Sequence, residues 1–194
     1  MPSIKTTTPI LPGKYYHLFN RGANRKTIFY NDKNYHYFLS LLNEQLLDRI
    51  EVLAYCLLPN HFHFIIRTND SEKDISSYRK EMTSKFKSWL VTYAMAINKQ
   101  EGFVGNLFDP KFKRLEIDDD DYLKYLIFYT HYNPEKHEII PDFRNYTFSS
   151  YKSILSNAST RVCRSSVVEI FNGIDSFINY HQCYHEERKS LLLE

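Results

Sequence analysis

Two apolar runs separated by two residues decide the fold: EVLAYCLL at residues 51–58 and HFHFIIRT at His61–Thr68. Both have the length and the β-branched and aromatic content typical of strands. Pro59 and Asn60 leave room for only a short turn, so the pair predicts an antiparallel hairpin. We expect these strands at the centre of a sheet.

Hydrophobic period and capping residues predict the elements around this hairpin. They are a strand at residues 14–20, a helix at 33–49 capped by Asp32, one long helix or two at 71–98, a strand at 111–117, and a helix that follows the aspartates at 118–121 and reaches about Tyr132. Asn133-Pro134 is expected to stop that last helix, because proline restrains the residue before it.

This order predicts an α+β fold of the ferredoxin-like type, with an antiparallel sheet covered on one face by helices. The segment from Ser165 to about Glu187 has a moderate helical period and no motif. We therefore divide the chain into a catalytic domain at residues 1–155 and a C-terminal helical appendage at 156–194.

Composition indicates an aromatic-rich globular protein, with 16 tyrosines and 14 phenylalanines in 194 residues. A net charge of +2 does not by itself indicate a nucleic-acid partner, since local patches attract polyanions. Three widely spaced cysteines fit neither a disulfide framework nor a cysteine zinc site. No apolar run is long enough for a signal peptide or membrane span, so we expect a cytoplasmic protein that associates with the nucleoid.

His61 and His63 are candidate metal ligands, because residues two apart on a strand project from the same face. Phe62 and Phe64 take the other face, which we expect to pack on the helices. Two neutral imidazoles can bind a divalent metal. An isolated His-x-His pair is nevertheless more often structural, so the motif alone is weak.

Tyr129 and Asn133 form a second constellation, because residues four apart share one face of a helix. The phenol could attack a phosphate while the amide oxygen supplies a third, hard ligand. With the two histidines this set suits Mg²⁺ or Mn²⁺. Spacing does not choose among the tyrosines, since the same helix also carries Tyr122, Tyr125 and Tyr132.

Four segments in order resemble one family. LAYCLLPNHFHFIIRT is similar to the strand that carries the HUH motif (histidine, bulky apolar residue, histidine) of single-tyrosine transposases. Within that family it resembles the REP-associated, insertion-sequence-200-like branch. YYHLFNRGANRKTIFYND resembles the family's first strand and its Arg-Gly turn, KFKRLEIDDDDYLKYLIFYTHYNP its last strand and catalytic helix, and FSSYKSIL its closing segment. The resemblance runs from about Tyr15 to Leu155.

The resemblance implies roles for these residues. The tyrosine four positions before the asparagine of Asn-Pro is the family's nucleophile, which falls on Tyr129, and Asn133 joins His61 and His63 as a metal ligand. The implied reaction is cleavage and strand transfer of single-stranded DNA at hairpins through a covalent 5′-phosphotyrosine. The family works as monomers or as homodimers. His131 and His137 flank Asn133-Pro134 and complicate the ligand set, although His131 should face elsewhere on the helix.

Cations that follow the first strand or precede the catalytic helix are candidate contacts to the DNA backbone. They are Arg21, Arg25, Lys111, Lys113 and Arg114. Phe112 and Tyr16 are candidates for stacking on bases.

Two other functions fit parts of this pattern. A domesticated hairpin-binding protein would keep the fold and lose cleavage, and a metal enzyme acting on small substrates would use the histidine pair alone. The intact set of His61, His63, Tyr129 and Asn133 argues against the first, and the ordered family motifs argue against the second.

Overall fold

The hairpin lies inside a four-stranded antiparallel sheet. In the computed structural model, which describes residues 7–191, strands β2 (Ile50–Leu58) and β3 (His61–Thr68) pair directly. Strand β1 (Tyr15–Arg21) pairs with β3 on its other side, and β4 (Lys113–Ile117) pairs with β1. The order is therefore β2-β3-β1-β4, and every neighbouring pair is antiparallel.

The helices complete the predicted order strand, helix, strand, strand, helix, strand, helix. They are α1 (Asp32–Leu46), α2 (Ile75–Glu101), α3 (Asp120–Lys136), α4 (Tyr151–Leu155), α5 (Arg164–Ile170) and α6 (Ile174–Leu191). Helix α2 is continuous over 27 residues, which decides between one helix and two. The α+β class and the ferredoxin-like antiparallel sheet are confirmed.

Side-chain caps begin the three long core helices. Asn31, rather than the predicted Asp32, is the N-cap of α1 and accepts a hydrogen bond from the backbone of Asn34. Asp74 caps α2, and Asp119 in the aspartate run caps α3 by accepting from the backbone N–H of Tyr122. The negative charges at the start of α3 also stabilise the helix, because they interact favourably with the positive end of its dipole.

Helices α1 and α2 cover the face of the sheet that carries Phe62 and Phe64. Phe38 of α1 lies with its ring centroid 5.0 Å from that of Phe62, and Trp89 of α2 lies 5.6 Å from Phe64. The Trp89 indole N–H donates to the carbonyl of Phe38 at 3.1 Å, so the ring satisfies its one polar group while it is buried. The prediction that the phenylalanine face packs on helices holds.

The prediction that helices cover only one face is wrong. Helix α3 lies across the opposite face, where Ile127 and Phe128 form a second core with Ala54 and Ile65 of the sheet. This face needs cover because its central residues are apolar: Ala54 and Ile65 are fully buried. The continuous apolar character of β2 and β3 is the signal of a sheet buried on both faces.

Helix α3 does not end at Asn133-Pro134. It continues through Pro134 to Lys136, and the last turn is held by backbone bonds from His137 to Asn133 and from Ile139 to Pro134. Proline lacks the N–H that would bond to the fourth preceding residue, Thr130, but its fixed φ is compatible with a helix. The extra turn carries two residues to the site described below.

The C-terminal segment forms two helices rather than one. Asn172 and Gly173, both at positive φ (56° and 125°), separate α5 from α6. Helix α6 packs on α3, where Phe177 joins the second core. The division of the chain at residue 155 stays a prediction, and residues 1–6 and 192–194 at its two ends lie outside the described residues.

A buried chain of hydrogen bonds joins α6 to α3. His181 Nδ1 donates to the carbonyl of Phe177 at 2.8 Å, so its Nε2 accepts from His131 Nδ1 at 2.9 Å. His131 Nε2 in turn accepts from the Ser150 hydroxyl at 2.8 Å. Burial lowers the pKa of His181 to about 3 and holds that of His131 well below its ordinary value. Both rings are therefore neutral in the folded protein.

Within residues 7–191, no helix combines the length and apolar character that crossing a bilayer requires.

Candidate active site

His61 and His63 project side by side from β3 on the face that α3 crosses. Their ring centroids are 5.3 Å apart. His61 is half-buried, whereas His63 is 9% exposed. On the neighbouring strand β1, Arg21 lies opposite His61, and Phe19 lies opposite His63. The pair therefore sits at the end of the sheet where β1 finishes and β3 begins.

Each histidine of the pair has its Nδ1 atom held by a neighbour. His61 Nδ1 lies 2.6 Å from Asn60 Oδ1, which can only accept, so His61 Nδ1 carries the proton. His63 Nδ1 lies 2.9 Å from Nε2 of the buried His17. When His63 Nδ1 donates in that contact, Nε2 is the unprotonated nitrogen of both rings and is available to bind a metal. Such partners are the usual means of fixing the orientation and tautomer of metal-binding histidines.

Burial keeps the pair neutral. Desolvation lowers the pKa of His61 to about 4, with smaller effects from the nearby charges of His137, Arg21 and Lys136. Desolvation also holds the pKa of His63 well below its ordinary value, and His17 adds to the effect. Because only an unprotonated imidazole nitrogen can bind a metal, both residues are in the ligating form near neutral pH.

Tyr129 is the tyrosine of α3 that lies beside the histidines. Its ring centroid is 6.3 Å from that of His63. Lys136 Nζ donates to Tyr129 Oη at 2.7 Å and lies 4.5 Å from the ring centroid. Lys136 is in the helical turn after Asn133-Pro134, so the expectation that the helix stopped there concealed this contact.

The other tyrosines of α3 have different surroundings. Tyr125 Oη accepts a hydrogen bond from Arg188 of α6 at 2.7 Å. Tyr132 is 6% exposed and packs on Phe128. Tyr122 is 48% exposed in the first turn of the helix. Geometry thus favours Tyr129, which helical spacing alone could not do.

Asn133 lies between two contacts that join α3 to the histidine pair. One turn before it Tyr129 meets His63, and one turn after it the ring of His137 lies 4.8 Å from that of His61. Residues four apart share a helix face, so Asn133 faces the same strand. Its side chain is fully buried, and Nδ2 donates to the Tyr129 carbonyl at 2.7 Å. Among the described residues its Oδ1 has no hydrogen-bond partner.

The donor set fits a divalent cation. A buried amide oxygen without a partner costs on the order of 1–3 kcal/mol, and a metal ion would satisfy it. Two neutral imidazoles and one carbonyl oxygen leave positions for phosphate oxygens and water, as Mg²⁺ and Mn²⁺ require. No group of three His, Cys, Asp or Glu side chains in residues 7–191 is arranged to hold a metal. Asn133 Oδ1, which the sequence predicts as the third ligand, remains the candidate.

The cations predicted to contact DNA do not all lie on one face of the sheet. Arg21 lies opposite His61 on the histidine face, and its Nε is 3.6 Å from Asp109 Oδ2. Lys113 shares that face, because it lies opposite Phe19. Arg114 points to the other face, and its Nε donates to the Thr8 carbonyl at 2.6 Å. Arg25, at a positive φ of 61° at the end of a short 3-10 helix, and Lys111, in the loop before β4, are exposed.

Two further expectations concern aromatic and histidine side chains. Tyr16 is fully buried, and its hydroxyl bonds to Pro9 and Leu11, so stacking of Tyr16 on a base is excluded. Phe112 is partly exposed. His131 faces away from the pair, as the helical offset predicted, and bonds to His181 and Ser150 instead.

Sequence reasoning missed three residues of this site: His17, Asn60 and Lys136. A signal for His17 was present, because it alternates with Phe19 and Arg21 on β1 and must share their face. Asn60 stands directly before His61 in the turn. Lys136 gave no such signal, since its position depends on a helix that continues through a proline.

Comparison with known proteins supports the fold. No protein-family model matches the chain, and no curated protein matches it either. The structure of a REP-associated tyrosine transposase bound to a REP hairpin is similar, with a TM-score of 0.55 and 19% identity over 80% of this chain and 86% of that one. The chain therefore shares the fold of that transposase, which is the fold that its sequence motifs predicted.

A second solved structure, of a Deinococcus radiodurans protein described as a transposase, has 16% identity over 63% of this chain and 93% of that one. Its TM-score of 0.38 is too low to bear on the fold.

Proposed function

We propose that this protein is a single-tyrosine transposase of the HUH type, in the REP-associated branch, that cuts and rejoins single-stranded DNA. The observation that carries the proposal is the placement of α3. Its Tyr129 and His137 contact His63 and His61, with Asn133 between them. Tyr129, a pair of neutral imidazoles and an amide oxygen without a partner thus lie along one face of the sheet. The similarity of fold to a REP-associated transposase supports the same conclusion.

In the proposed reaction, Tyr129 Oη attacks the phosphorus of a DNA phosphodiester. The Oη–P bond forms as the bond from phosphorus to the 3′ oxygen breaks. The products are a 5′-phosphotyrosine and a free 3′-hydroxyl, and the phenolic proton is balanced by the proton that the 3′ oxygen gains. A second 3′-hydroxyl then reverses the step and joins a new strand.

Mg²⁺ or Mn²⁺ bound by His61, His63 and Asn133 would polarise the scissile phosphate and stabilise the charge of the transition state. The protein's own residues prepare the remaining parts. Asn60 and His17 orient the two imidazoles through their Nδ1 atoms. Lys136 stabilises negative charge on Tyr129 Oη as the proton leaves, because a cationic donor bonds more strongly to a phenolate than to a phenol.

The proposed substrate is single-stranded DNA next to a hairpin. Arg21 and Lys113 lie on the histidine face and are positioned to contact phosphates that flank the cleavage point. The hairpin itself is proposed from the sequence resemblance and from the REP hairpin bound to the similar transposase.

The test is incubation of the protein with hairpin oligonucleotides that carry unpaired flanks, in Mg²⁺ or Mn²⁺. We expect a covalent protein–DNA adduct that survives denaturing electrophoresis, and no adduct in Tyr129→Phe or His61→Ala. Tyr122→Phe is the matched control, because that exposed tyrosine of the same helix should be dispensable. Tight hairpin binding without any adduct would instead support a domesticated binding protein. A metal-dependent activity on small substrates alone would overturn both readings.

A further inference from the structure

We propose that the outer surface of α2 and the segment before β4 bind the unpaired strand beyond the cleavage point, with bases in an apolar cavity and phosphates on an adjoining row of cations. This inference rests on the proposed function and adds a substrate-binding site on the face of the sheet opposite to the histidines. The cavity and the row of cations are two separate features that meet along α2.

The cavity lies between α2 and the segment at residues 105–112. Its volume is about 580 Å³. Aromatic rings form part of its wall, and those of Phe86 and Phe112 have centroids 5.5 Å apart. At its mouth Val91 is 45% exposed, and Met95 is 68% exposed. Apolar surface arranged in a concave site marks a place where a ligand gains by leaving water.

The row of cations lies on the next turns of the same helix. Arg79, Lys80 and Lys87 line a shallow groove together with the hydroxyl side chains of residues 76, 83 and 84. Thr83 and Lys87 line the cavity as well, so the two features are continuous. Cations and hydroxyls are the side chains that most often bind phosphate oxygens.

Of the cations on α2 and just before it, some have an acidic partner and others do not. Lys73, just before the helix, bonds to Glu81, and Lys85 pairs with Asp48 at 3.4 Å. Within residues 7–191, Arg79, Lys80 and Lys87 form no salt bridge. The charge of Arg79 also lowers the pKa of Arg114, after the larger effect of burial, so the two guanidinium groups are close enough to repel each other. An anionic ligand would relieve this repulsion.

The cavity lies at the same end of β1 as the histidine pair. Asn20 lines the cavity, whereas the next residue, Arg21, lies on the other face opposite His61. Strand β4 is at the edge of the sheet and likewise presents Lys113 to the histidine face and Arg114 to the cavity. Thr7 and Thr8 pair with the outer edge of β4 at Arg114, so the path for a strand that leaves the metal site runs around the start of β4, past Lys113, with a cation on each side.

The combination of features favours an unpaired nucleic-acid strand over other occupants. A peptide would suit the apolar cavity but would leave the cations without partners. Duplex DNA would suit the cations, but its bases are stacked and unavailable to the cavity. Proteins that bind single strands combine aromatic surfaces for bases with a cationic path for the backbone.

The test measures binding without cleavage. Fluorescence anisotropy in EDTA would compare a labelled hairpin with and without a 3′ or 5′ unpaired flank. Two variants probe the two features: Arg79→Gln/Lys80→Gln/Lys87→Gln removes the charges, and Met95→Glu places a carboxylate at the mouth of the cavity. Lys99→Gln is the matched control, since Lys99 is exposed on α2 but lines neither feature.

We expect the flank to tighten binding of the wild-type protein and of the control. In both site variants the factor by which the flank tightens binding should be smaller than in wild type by roughly tenfold or more. Their affinity for the bare hairpin should be unchanged. The triple variant should also reduce the salt dependence of flank binding by about 2 in the log–log slope, at about 0.7 for each phosphate contact on a single strand. Unchanged flank binding in both variants would overturn the proposal.

Photocrosslinking separates this proposal from the proposed function. A flank with 5-iodouracil should crosslink to residues 86–112 in wild type and in Tyr129→Phe alike, because neither binding nor crosslinking requires cleavage. Crosslinks confined to β1 and α3 would refute the cavity while leaving the nuclease proposal intact. Crosslinks to the cavity without any covalent adduct in Mg²⁺ or Mn²⁺ would refute the nuclease proposal alone.

Discussion

Substitution of His181 by glutamine should make the stability of the protein less sensitive to acid. His181 is 1% exposed, and burial lowers its pKa to about 3. In the unfolded chain a histidine has a pKa of about 6.5. The unfolded state therefore binds a proton between these two values that the folded state does not, and the free energy of unfolding falls as pH decreases below about 6.5.

The magnitude follows from the unfolded value, provided the folded ring stays neutral. Between about pH 7.5 and pH 5.0 one such histidine removes about 2 kcal/mol of stability. This part of the free energy of unfolding is fully present above about pH 6.5 and is lost progressively as pH falls toward about 3. Glutamine can still accept from His131 and donate to the Phe177 carbonyl, but it does not titrate.

The assay is urea unfolding followed by the fluorescence of Trp89, the single tryptophan, which is fully buried. Other buried histidines contribute to the wild-type slope, so the quantity of interest is the difference between the two proteins. We expect His181→Gln to lose about 2 kcal/mol less than wild type over this pH range. An equal loss in both proteins would refute the assignment of His181 as a buried neutral link between α6 and α3.

Three predictions concern the proposed metal site and nucleophile. His17→Ala should weaken Mn²⁺ binding about 10- to 100-fold in calorimetry, whereas the exposed His36→Ala should not, and equal affinities would contradict the orienting role of His17. Lys136→Met should slow adduct formation about tenfold and Lys136→Arg should retain most of the rate, since a charge-assisted hydrogen bond contributes about 1.5–3 kcal/mol and Lys136 is exposed. Asn133→Leu should abolish the adduct formed by Tyr129. Without metal, it should raise the free energy of unfolding by about 1 kcal/mol, because it removes a buried oxygen that has no partner. A large loss of stability would show that the oxygen is satisfied in the fold.

The sequence predicted the sheet and the placement of the histidines because both depend on local alternation. His61 and His63 had to share a face once residues 61–68 formed a strand, and Phe62 and Phe64 supplied the packing on the other side. The N-terminus of α3 was equally local, since an aspartate caps it.

Other features depend on tertiary contacts that no local pattern encodes. The cover on the second face comes from α3, and its last turn continues through Pro134, against the usual effect of proline. That turn delivers Lys136 to Tyr129, so an error of four residues at one helix end concealed a contact with the nucleophile. His17 was missed for a different reason: the alternation of β1 shows which face it shares with Phe19 and Arg21, but not that its partner His63, 46 residues away in sequence, lies on the neighbouring strand.

The attachment of DNA to Tyr129 is the central claim, and mass spectrometry of the adduct tests it most directly. Trypsin should release residues 125–136, YLIFYTHYNPEK, which contain three of the tyrosines of α3. Fragmentation of this peptide after nuclease digestion locates the phosphonucleotide. We predict that it is found on Tyr129 in wild type and is absent from Tyr129→Phe. A phosphonucleotide on Tyr125 or Tyr132, or an adduct that persists in Tyr129→Phe, would contradict the account.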